Sequence, residues 1–281
     1  MIIMKVLIVE DDAPSRNFMK DTVKSQGFKA FTAENGLQGL EEFKKVKPDL
    51  VLSDINMPKM NGLELLEEIR KISPDVIVVM VTAFGCEEYA IKAMELRANN
   101  YLKKPVRHKE LLPLLKKYLS LTAKSTESFE QPEEINEPTF SINLDSDITK
   151  VPNMVYWLME ATKDLLDKKD TLGVKIGLME LLNNAIEHGN LANAKELDAS
   201  KKAIAYSRTV SVEYRISESY CEWVITDEGK GFDWQAYMDR LQVDPLGQEG
   251  KGLLVSKFHF TELSFNPSGN SVTARKNISG D

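Results

Sequence analysis

The chain has 281 residues, of which 42% are hydrophobic and 28% charged, and its formal net charge is −7. This length accommodates two domains of ordinary size, and the composition is typical of a folded globular protein rather than a disordered one. The negative charge disfavours an output that binds nucleic acid by neutralising phosphates.

The N-terminal segment and the cysteines indicate the compartment. Residues 1–9 are mostly apolar, but the acidic run Glu10–Asp12 follows, and there is no small-residue cleavage site. No run approaches the roughly 18 apolar residues of a membrane span. Cys86 and Cys221 fit no disulfide or metal-binding spacing. We therefore expect a cytoplasmic protein without a membrane segment.

The first 122 residues alternate short apolar runs with amphipathic stretches. The runs lack a polar alternation, as strands buried on both faces should: Val6–Val9, Leu50–Leu52 and Val76–Val81. Helical periodicity occupies the stretches Ala13–Gln26, Leu37–Lys45 and Gly62–Ile72. This βα repeat predicts an α/β domain, residues 1–122, with a doubly wound parallel sheet.

Polar side chains follow the predicted strands of this domain. They are Asp11 and Asp12 after the first strand, Asp54 after the third, Thr82 after the fourth and Lys104 after the fifth. Because the carboxyl ends of parallel strands meet at one edge, we expect these residues to share a site. Clustered carboxylates favour Mg²⁺, and a free carboxylate oxygen is a nucleophile towards phosphorus. Alternatively, Asp11 or Asp12 caps a helix, and Lys104 is a surface charge.

This domain resembles the receiver domain of two-component response regulators. The resemblance rests on the segments Val9–Asp12, Ser53–Pro58, Gly62, Thr82–Ala83 and Tyr101–Pro105. It implies that Asp54 accepts a phosphoryl group from an upstream sensor histidine kinase. It also implies that Mg²⁺ is bound by Asp11, Asp12 and Asp54.

The same resemblance assigns further roles around the acceptor. Thr82 and Lys104 would sense the bound phosphoryl group, and Tyr101 would be the switching aromatic side chain. The peptide bond before Pro105 would be cis. One departure is Arg97-Ala98, where such domains usually carry Gly-Ala, so the turn there is not predicted.

Residues 123–138 interrupt this pattern. The segment is rich in glutamate, contains two prolines and has almost no apolar content. This composition is typical of an extended, solvated connection, and we interpret the segment as an acidic flexible linker.

Residues 139–281 predict a second domain of α+β type. Alternating apolar residues predict strands at Thr139–Leu144, Val210–Ile216 and Cys221–Ile225, and a closing hairpin of Thr261–Phe265 and Ser271–Lys276. Helical stretches are predicted near Val151–Asp167, around Glu180–Asn190 and within part of 191–206. Strands grouped with helices on one face predict a two-layer sandwich.

The predicted central helix has one polar edge. Glu180, Asn184 and Glu187 lie three and four residues apart and therefore share a face. An amide oxygen can bind Mg²⁺, and a neighbouring carboxylate can orient or deprotonate an attacking group. Gly173 and Gly177 lie earlier on the same edge, where a missing side chain allows another group to approach closely.

Two glycine-bearing loops follow. Asp227–Phe232 comes directly after a strand and offers a carboxylate that can accept from an exocyclic amine. Gly250–Leu253 opens a helix, whose N-terminus favours a phosphate. Neither loop has the P-loop spacing.

Together these features resemble the ATP-binding fold of gyrase, the Hsp90 chaperones, histidine kinases and MutL (the GHKL ATPases), and especially the anti-sigma-factor serine kinases. The resemblance implies that Asn184 binds Mg²⁺, that Glu180 is the general base and that Asp227 reads adenine. The glycines cradling ATP would be Gly229, Gly231, Gly250 and Gly252. Neither Arg240 nor Lys251 can be assigned to the γ-phosphate from the motifs.

The three histidines do not support histidine autophosphorylation. His108, His188 and His259 all lack the His-Glu-x-x-x-Pro context of a phosphorylated histidine, and the linker is too short for a dimerising helical hairpin. We interpret His188 as a structural part of the helix end.

The leading hypothesis is a response regulator whose output is an ATP-dependent serine/threonine protein kinase in a partner-switching pathway. Its partners would be an anti-sigma-factor antagonist, a sigma factor, or both, without nucleic acid or membrane. Both parent families commonly dimerise, so a homodimer is also expected. The alternatives are a non-catalytic ATP-binding module that sequesters a partner, and a histidine-kinase-like ATPase acting in phosphorelay signalling.

Overall fold

The computed structural model describes residues 3–83, 87–122, 139–162, 164–192, 198–243 and 251–278. The chain divides into two compact units, Met1–Ala123 and Lys124–Asp281. The predicted linker, 123–138, lies outside the described residues, so the boundaries 1–122, 123–138 and 139–281 stay predictions. Among the described residues, no helix combines the length and apolar character that crossing a membrane requires.

The first unit is built on a parallel sheet. Its strands are β1 Lys5–Val9, β2 Lys29–Ala33, β3 Leu50–Asp54, β4 Ile77–Thr82 and β5 Asn100–Lys103. They are arranged in the order β2-β1-β3-β4-β5, with every neighbouring pair parallel. All of β3 and β4 is buried, as the unalternating apolar runs predicted. The doubly wound α/β fold is confirmed.

Helices α1 to α5 connect and cover these strands: Ala13–Ser25, Gly36–Val46, Gly62–Ile72, Glu87–Glu95 and His108–Thr122. Short polar side chains determine where the first three begin. Asp12 caps α1, Asn35 caps α2, and Asn61 forms a capping box with Glu64 at the start of α3. Each cap satisfies backbone N–H groups that the first helical turn leaves without partners.

The turn between α4 and β5 contains the Arg97-Ala98 departure. Arg97 has a φ of 67°, in the left-handed region that glycine favours. Its carbonyl accepts hydrogen bonds from Nε and Nη2 of Arg70, which also donates to the Val76 carbonyl and the Asn99 side chain. The turn therefore keeps a glycine-like conformation without a glycine, and Arg70 stabilises it.

The second unit contains an antiparallel sheet in the order β6-β7-β8-β10-β9. Its strands are β6 Thr139–Asp145, β7 Thr209–Ile216, β8 Tyr220–Asp227, β9 Glu262–Phe265 and β10 Ser271–Asn277. The side chains that alternate inwards from β7 and β8 are buried: Val210, Val212, Tyr214, Cys221, Trp223 and Ile225. The α+β fold of this unit is confirmed.

The helices of the second unit are α6 Val151–Glu160, α7 Lys168–Asn184, α8 Ala199–Ser207, α9 Trp234–Val243 and α10 Lys251–His259. A π-helical turn, Ala185–Asn190, continues α7. The predicted helix Val151–Asp167 is too long, since α6 ends at Glu160. Just beyond this end, the Thr162 hydroxyl donates to carbonyls of the last turn of α6.

Glycines on α7 allow α10 to pack closely against it. A Cβ atom at Gly173 would lie 2.8 Å from Nδ1 of His259, and one at Gly177 would lie 2.6 Å from Cε2 of Phe260. The groups that approach these glycines therefore belong to α10 and the residue after it. This packing brings the start of α10 to the polar edge of α7.

Candidate functional site

Two buried carboxylates share one lysine at the carboxyl edge of the parallel sheet. Lys104 Nζ donates to Glu10 Oε1 at 2.7 Å and to Asp54 Oδ2 at 2.8 Å. Glu10 is fully buried, and Asp54 is 4% exposed. The second oxygen of Asp54, Oδ1, accepts from the Ile55 amide at 2.7 Å. One ammonium group therefore pairs with two buried carboxylates, so the cluster keeps a net negative charge.

Burial and ion pairing act on the protonation of this cluster. Burial raises the pKa of Glu10, although the hydrogen bond from Lys104 opposes that shift. Burial tends to lower the pKa of Lys104, but its hydrogen bonds to Asp54 and Glu10 outweigh this effect and raise it overall. Lys104 therefore stays protonated at neutral pH and is a permanent cation beside Asp54.

Carboxylate oxygens of Glu10, Asp11 and Asp54 lie within 4.8 Å of one another and could hold a metal ion. This donor set suits Mg²⁺, which binds oxygen ligands. Asp12, which we expected among the ligands, is not part of the cluster. Its carboxylate accepts from the Ser15 amide at 2.9 Å and caps α1. Glu10, which the sequence analysis did not name as a ligand, is in the cluster instead, and the identity of the Mg²⁺ ligands stays a prediction.

Arg16, which sequence reasoning missed, fixes the backbone beneath two of these carboxylates. Its Nη1 donates to the carbonyls of Glu10 at 2.7 Å and Asp11 at 3.0 Å. Its Nη2 pairs with Glu34 at 2.9 Å. The sequence carries no signal for this role, because Arg16 lies on a helix whose other charges are solvated.

The remaining predicted receiver residues lie around this cluster. Thr82 ends β4 and is fully buried, and Tyr101 on β5 is 2% exposed. The Lys104–Pro105 peptide bond is cis, as predicted. Gly62 lies against the backbone of Asp54, where a Cβ atom would collide with the Asp54 carbonyl oxygen. The edge thus brings the Asp54 carboxylate, the Thr82 hydroxyl and the Lys104 ammonium group to the ends of neighbouring strands.

In the second unit, the polar edge of α7 faces the start of α10. A Cβ atom at Gly252 would lie 2.9 Å from Glu180 Oε2 and 3.4 Å from Asn184 Nδ2. The bare backbone of Gly252 therefore lies close against both polar groups, where a side chain would crowd Glu180. Asn184 is the last residue of α7, just before the π-helical turn. Glu187 and His188, further along, are exposed.

The π-helical turn lies against the first glycine loop. A Cβ atom at Gly189 would be 2.5 Å from Asp227 Oδ1, and one at Gly229 would be 2.5 Å from the Gly189 carbonyl. Asp227 ends β8, and its Oδ1 accepts from the Gly229 amide at 2.8 Å. Burial raises the pKa of Asp227, and the Gly229 hydrogen bond opposes this. A bare backbone therefore surrounds a buried carboxylate that can accept from a polar ligand.

Other predicted residues of this site have separate positions. Gly231 has a φ of 72° and packs against the Ser268 carbonyl, where no side chain fits. The guanidinium of Arg240, on α9, lies 5.6 Å from the ring centre of Tyr237. Lys251 is the first residue of α10, whereas Gly250 lies outside the described residues.

Comparisons with known proteins identify a family model that matches each unit. The family model of the response regulator receiver domain matches residues 6–116. The family model of the histidine kinase-like ATPase domain matches residues 144–276. The chain is a response regulator. It joins a receiver domain to a histidine-kinase-like ATPase domain.

Two curated relatives match the receiver domain. The chemotaxis protein CheY of Bacillus subtilis is 36% identical over 117 residues, 41% of this chain and 98% of CheY. Sporulation initiation phosphotransferase F of the same organism is 36% identical over 117 residues, 42% of this chain and 94% of the relative. A solved receiver domain protein from Clostridium thermocellum is 31% identical, covering 42% of this chain and 94% of its own, with a TM-score of 0.40.

Proposed function

We propose that phosphorylation of Asp54 by a sensor histidine kinase controls an ATP-dependent serine/threonine protein kinase in the second domain. The proposed substrate is an anti-sigma-factor antagonist, and a sigma factor is the competing partner. The two clusters support these roles because one presents a buried carboxylate beside a fixed cation, and the other brings bare glycine backbone close to a carboxylate and an amide.

In the receiver domain, an Asp54 carboxylate oxygen would attack the phosphorus of a phosphohistidine and form an acyl phosphate while the P–N bond breaks. Glu10, Asp11 and Asp54 would hold Mg²⁺, which offsets negative charge on the phosphoryl oxygens when bound. Lys104 would exchange its ion pair with Asp54 for contacts to the phosphoryl group, and Thr82 would donate to another of its oxygens. Phosphorylation therefore breaks and remakes contacts of Lys104, which can bias the receiver between two arrangements.

In the second domain, the proposal rests on the close approach of Gly252 to Glu180 and Asn184. Glu180 would take the proton from a substrate hydroxyl as its oxygen attacks the γ-phosphorus and the bond to the β-phosphate oxygen breaks. Asn184 would contribute an oxygen to Mg²⁺. The bare backbone at Gly252 lets phosphate oxygens approach the N-terminus of α10. Asp227 would accept a hydrogen bond from the adenine amine.

Glu180→Gln tests this assignment, and Glu187→Gln is its matched control. Both substitutions remove one carboxylate charge from the same polar edge, but Glu187 is exposed and lies beyond Asn184. With Mg²⁺-ATP and a candidate antagonist protein, Glu180→Gln should lower the phosphotransfer rate by at least about a hundredfold. The Glu180→Gln variant should keep its ATP affinity. The Glu187→Gln variant should keep both its ATP affinity and its phosphotransfer rate. Transfer at the wild-type rate by Glu180→Gln would contradict the base role.

Two further outcomes distinguish the alternative functions. If the wild type binds ATP and its partner but transfers no phosphate, the domain is a sequestering module. If an acid-labile phosphate appears on a protein, the activity is that of a histidine kinase.

Coupling between the domains is tested by titrating Mg²⁺-ATP with and without beryllofluoride on Asp54. A changed ATP affinity establishes coupling, and reciprocity then requires ATP to affect the receiver.

A further inference from the structure

The end of the π-helical turn contains a buried amide that the proposed function does not use. Asn190 is fully buried, and each polar atom of its side chain has a partner. Its Oδ1 accepts from the Glu228 amide at 2.7 Å. Its Nδ2 donates to Ser146 Oγ at 2.9 Å and to the Thr209 carbonyl at 2.8 Å. One side chain thus joins the π-helical turn after α7 to three separate segments.

The Glu228 contact lies beside the carboxylate proposed to read adenine. Glu228 is the neighbour of Asp227, and its amide is oriented by Asn190. On the other side of the same loop, the bare backbone of Gly189 and Gly229 packs against the Asp227 carboxylate. These contacts place the loop against the same turn that follows Asn184. The π-helical turn therefore determines the distance between Asn184, at the proposed phosphate end of the site, and Asp227, at the proposed base end.

The other partners of Asn190 keep it in this position. The Ser146 hydroxyl accepts from Asn190 and donates to the Arg208 carbonyl at 2.7 Å. Arg208 Nη1 donates to the Asn190 carbonyl at 3.1 Å. A buried amide whose nitrogen and oxygen are both hydrogen-bonded is held in one orientation, because a rotation would leave polar groups unpaired.

We propose that Asn190 is the positioning residue for base recognition, which holds the Asp227 loop at a fixed distance from Asn184. This inference rests on the proposed ATP-binding function and adds a residue that touches no ligand itself. Its loss should impair the hydrogen bond between Asp227 and the adenine amine more than the contacts of the phosphate end. The signature is a loss of base discrimination rather than a uniform loss of affinity.

The test compares ATP with inosine 5′-triphosphate, which carries a carbonyl where adenine carries the amine. Dissociation constants of both nucleotides are measured on the full chain for the wild type, Asn190→Ala and the milder Ser146→Ala. We expect Asn190→Ala to lower the preference for ATP over inosine 5′-triphosphate by about tenfold, because a displaced Asp227 no longer accepts a hydrogen bond from the adenine amine. Ser146→Ala should lower it by a smaller factor. Deuterium exchange at the Glu228 amide should accelerate in the same order.

Thr162→Val is the control. Thr162 is fully buried in the same domain, and its hydroxyl donates to carbonyls in the last turn of the preceding helix, α6. It should alter thermal stability without altering the nucleotide ratio. If the wild type prefers ATP and Asn190→Ala keeps that ratio, the positioning role is wrong and Asn190 is only structural. If the wild type itself binds no ATP, the proposed function fails and the positioning role fails with it.

Discussion

In the receiver domain, a lysine lies between the buried carboxylates Glu10 and Asp54 and neutralises much of their charge. In the ATPase domain, the bare backbone of glycines lies close against the carboxylates Glu180 and Asp227, where a Cβ atom would crowd them. The first arrangement suits the proposed modification of Asp54, because the charges that would meet a phosphoryl group are already assembled. The second suits a site that must admit a whole nucleotide.

The difference shows which kind of residue each site depends on. Two buried carboxylates repel each other, and burial penalises their charged forms, so the receiver site depends on a cation. A nucleotide site built on close backbone approach depends instead on the absence of Cβ atoms. Substitutions should therefore act through charge in one domain and through volume in the other.

Removing the cation should have the largest effect. Lys104→Met leaves Glu10 and Asp54 without their shared partner, which should destabilise the receiver by about 2–3 kcal/mol, less than for a fully buried pair. The discount reflects the 24% exposure of the Lys104 side chain. Denaturant unfolding measures the loss. Mg²⁺ should stabilise the variant more than the wild type, because it supplies the missing positive charge. If Mg²⁺ stabilised the variant and the wild type equally, Glu10 and Asp54 would not depend on the positive charge of Lys104.

Adding one methyl group should have the next largest effect. In Gly189→Ala the new Cβ would overlap Oδ1 of Asp227, and the turn or the loop must move. Overpacking of this kind should weaken ATP binding by about 10- to 100-fold, which calorimetric titration measures. Phosphorylation of Asp54 by acetyl phosphate in the same variant is the internal control and should be unchanged. ATP affinity at the wild-type level would show that the Asp227 loop is not part of the nucleotide site.

A pair of isosteric substitutions distinguishes the two candidate metal ligands. Glu10→Gln removes a charge from the cluster and should raise the Mg²⁺ requirement of Asp54 phosphorylation about tenfold, equivalent to about 1.4 kcal/mol. Asp12→Asn should leave it nearly unchanged, because asparagine also caps helices well. Mass spectrometry over a Mg²⁺ series measures both. The opposite ranking would restore Asp12 as the ligand.

The smallest effect concerns pH. Because burial raises the pKa of Asp227 above its ordinary value of 3.8, folding favours the protonated carboxyl group. Its ionised form therefore opposes folding increasingly as the pH rises above that value. Asp227→Asn should raise the melting temperature of the nucleotide-free protein at pH 7, and the gain should shrink towards pH 4. A gain that grows as the pH falls would contradict this sign.

Much of the architecture could be predicted from local patterns. Unalternating apolar runs predicted β3 and β4, because strands covered on both faces need apolar residues throughout. The three-and-four spacing of Glu180 and Asn184 placed both on one edge of α7, because that spacing follows from helix geometry. The order of polar residues after the strands located the edge that Asp54, Thr82 and Lys104 share.

The choice between neighbouring acids required the folded structure. The sequence offers three in a row, and their roles depend on where β1 ends and α1 begins. Glu10 is committed to the cluster by Lys104, which lies 94 residues away in the chain. Asp12 is committed to the helix by the Ser15 amide. A local sequence pattern does not indicate a partner so far away in the chain.

Asn190 and the α7 glycines show the same limit. The sequence by itself determined that α7 has a polar edge with gaps at Gly173 and Gly177, because periodicity is a property of one helix. Only the tertiary structure decided that α10 packs at these glycines. It also decided that Asn190 joins Ser146, Thr209 and Glu228, because hydrogen bonds between distant segments exist only once the chain has brought those segments together.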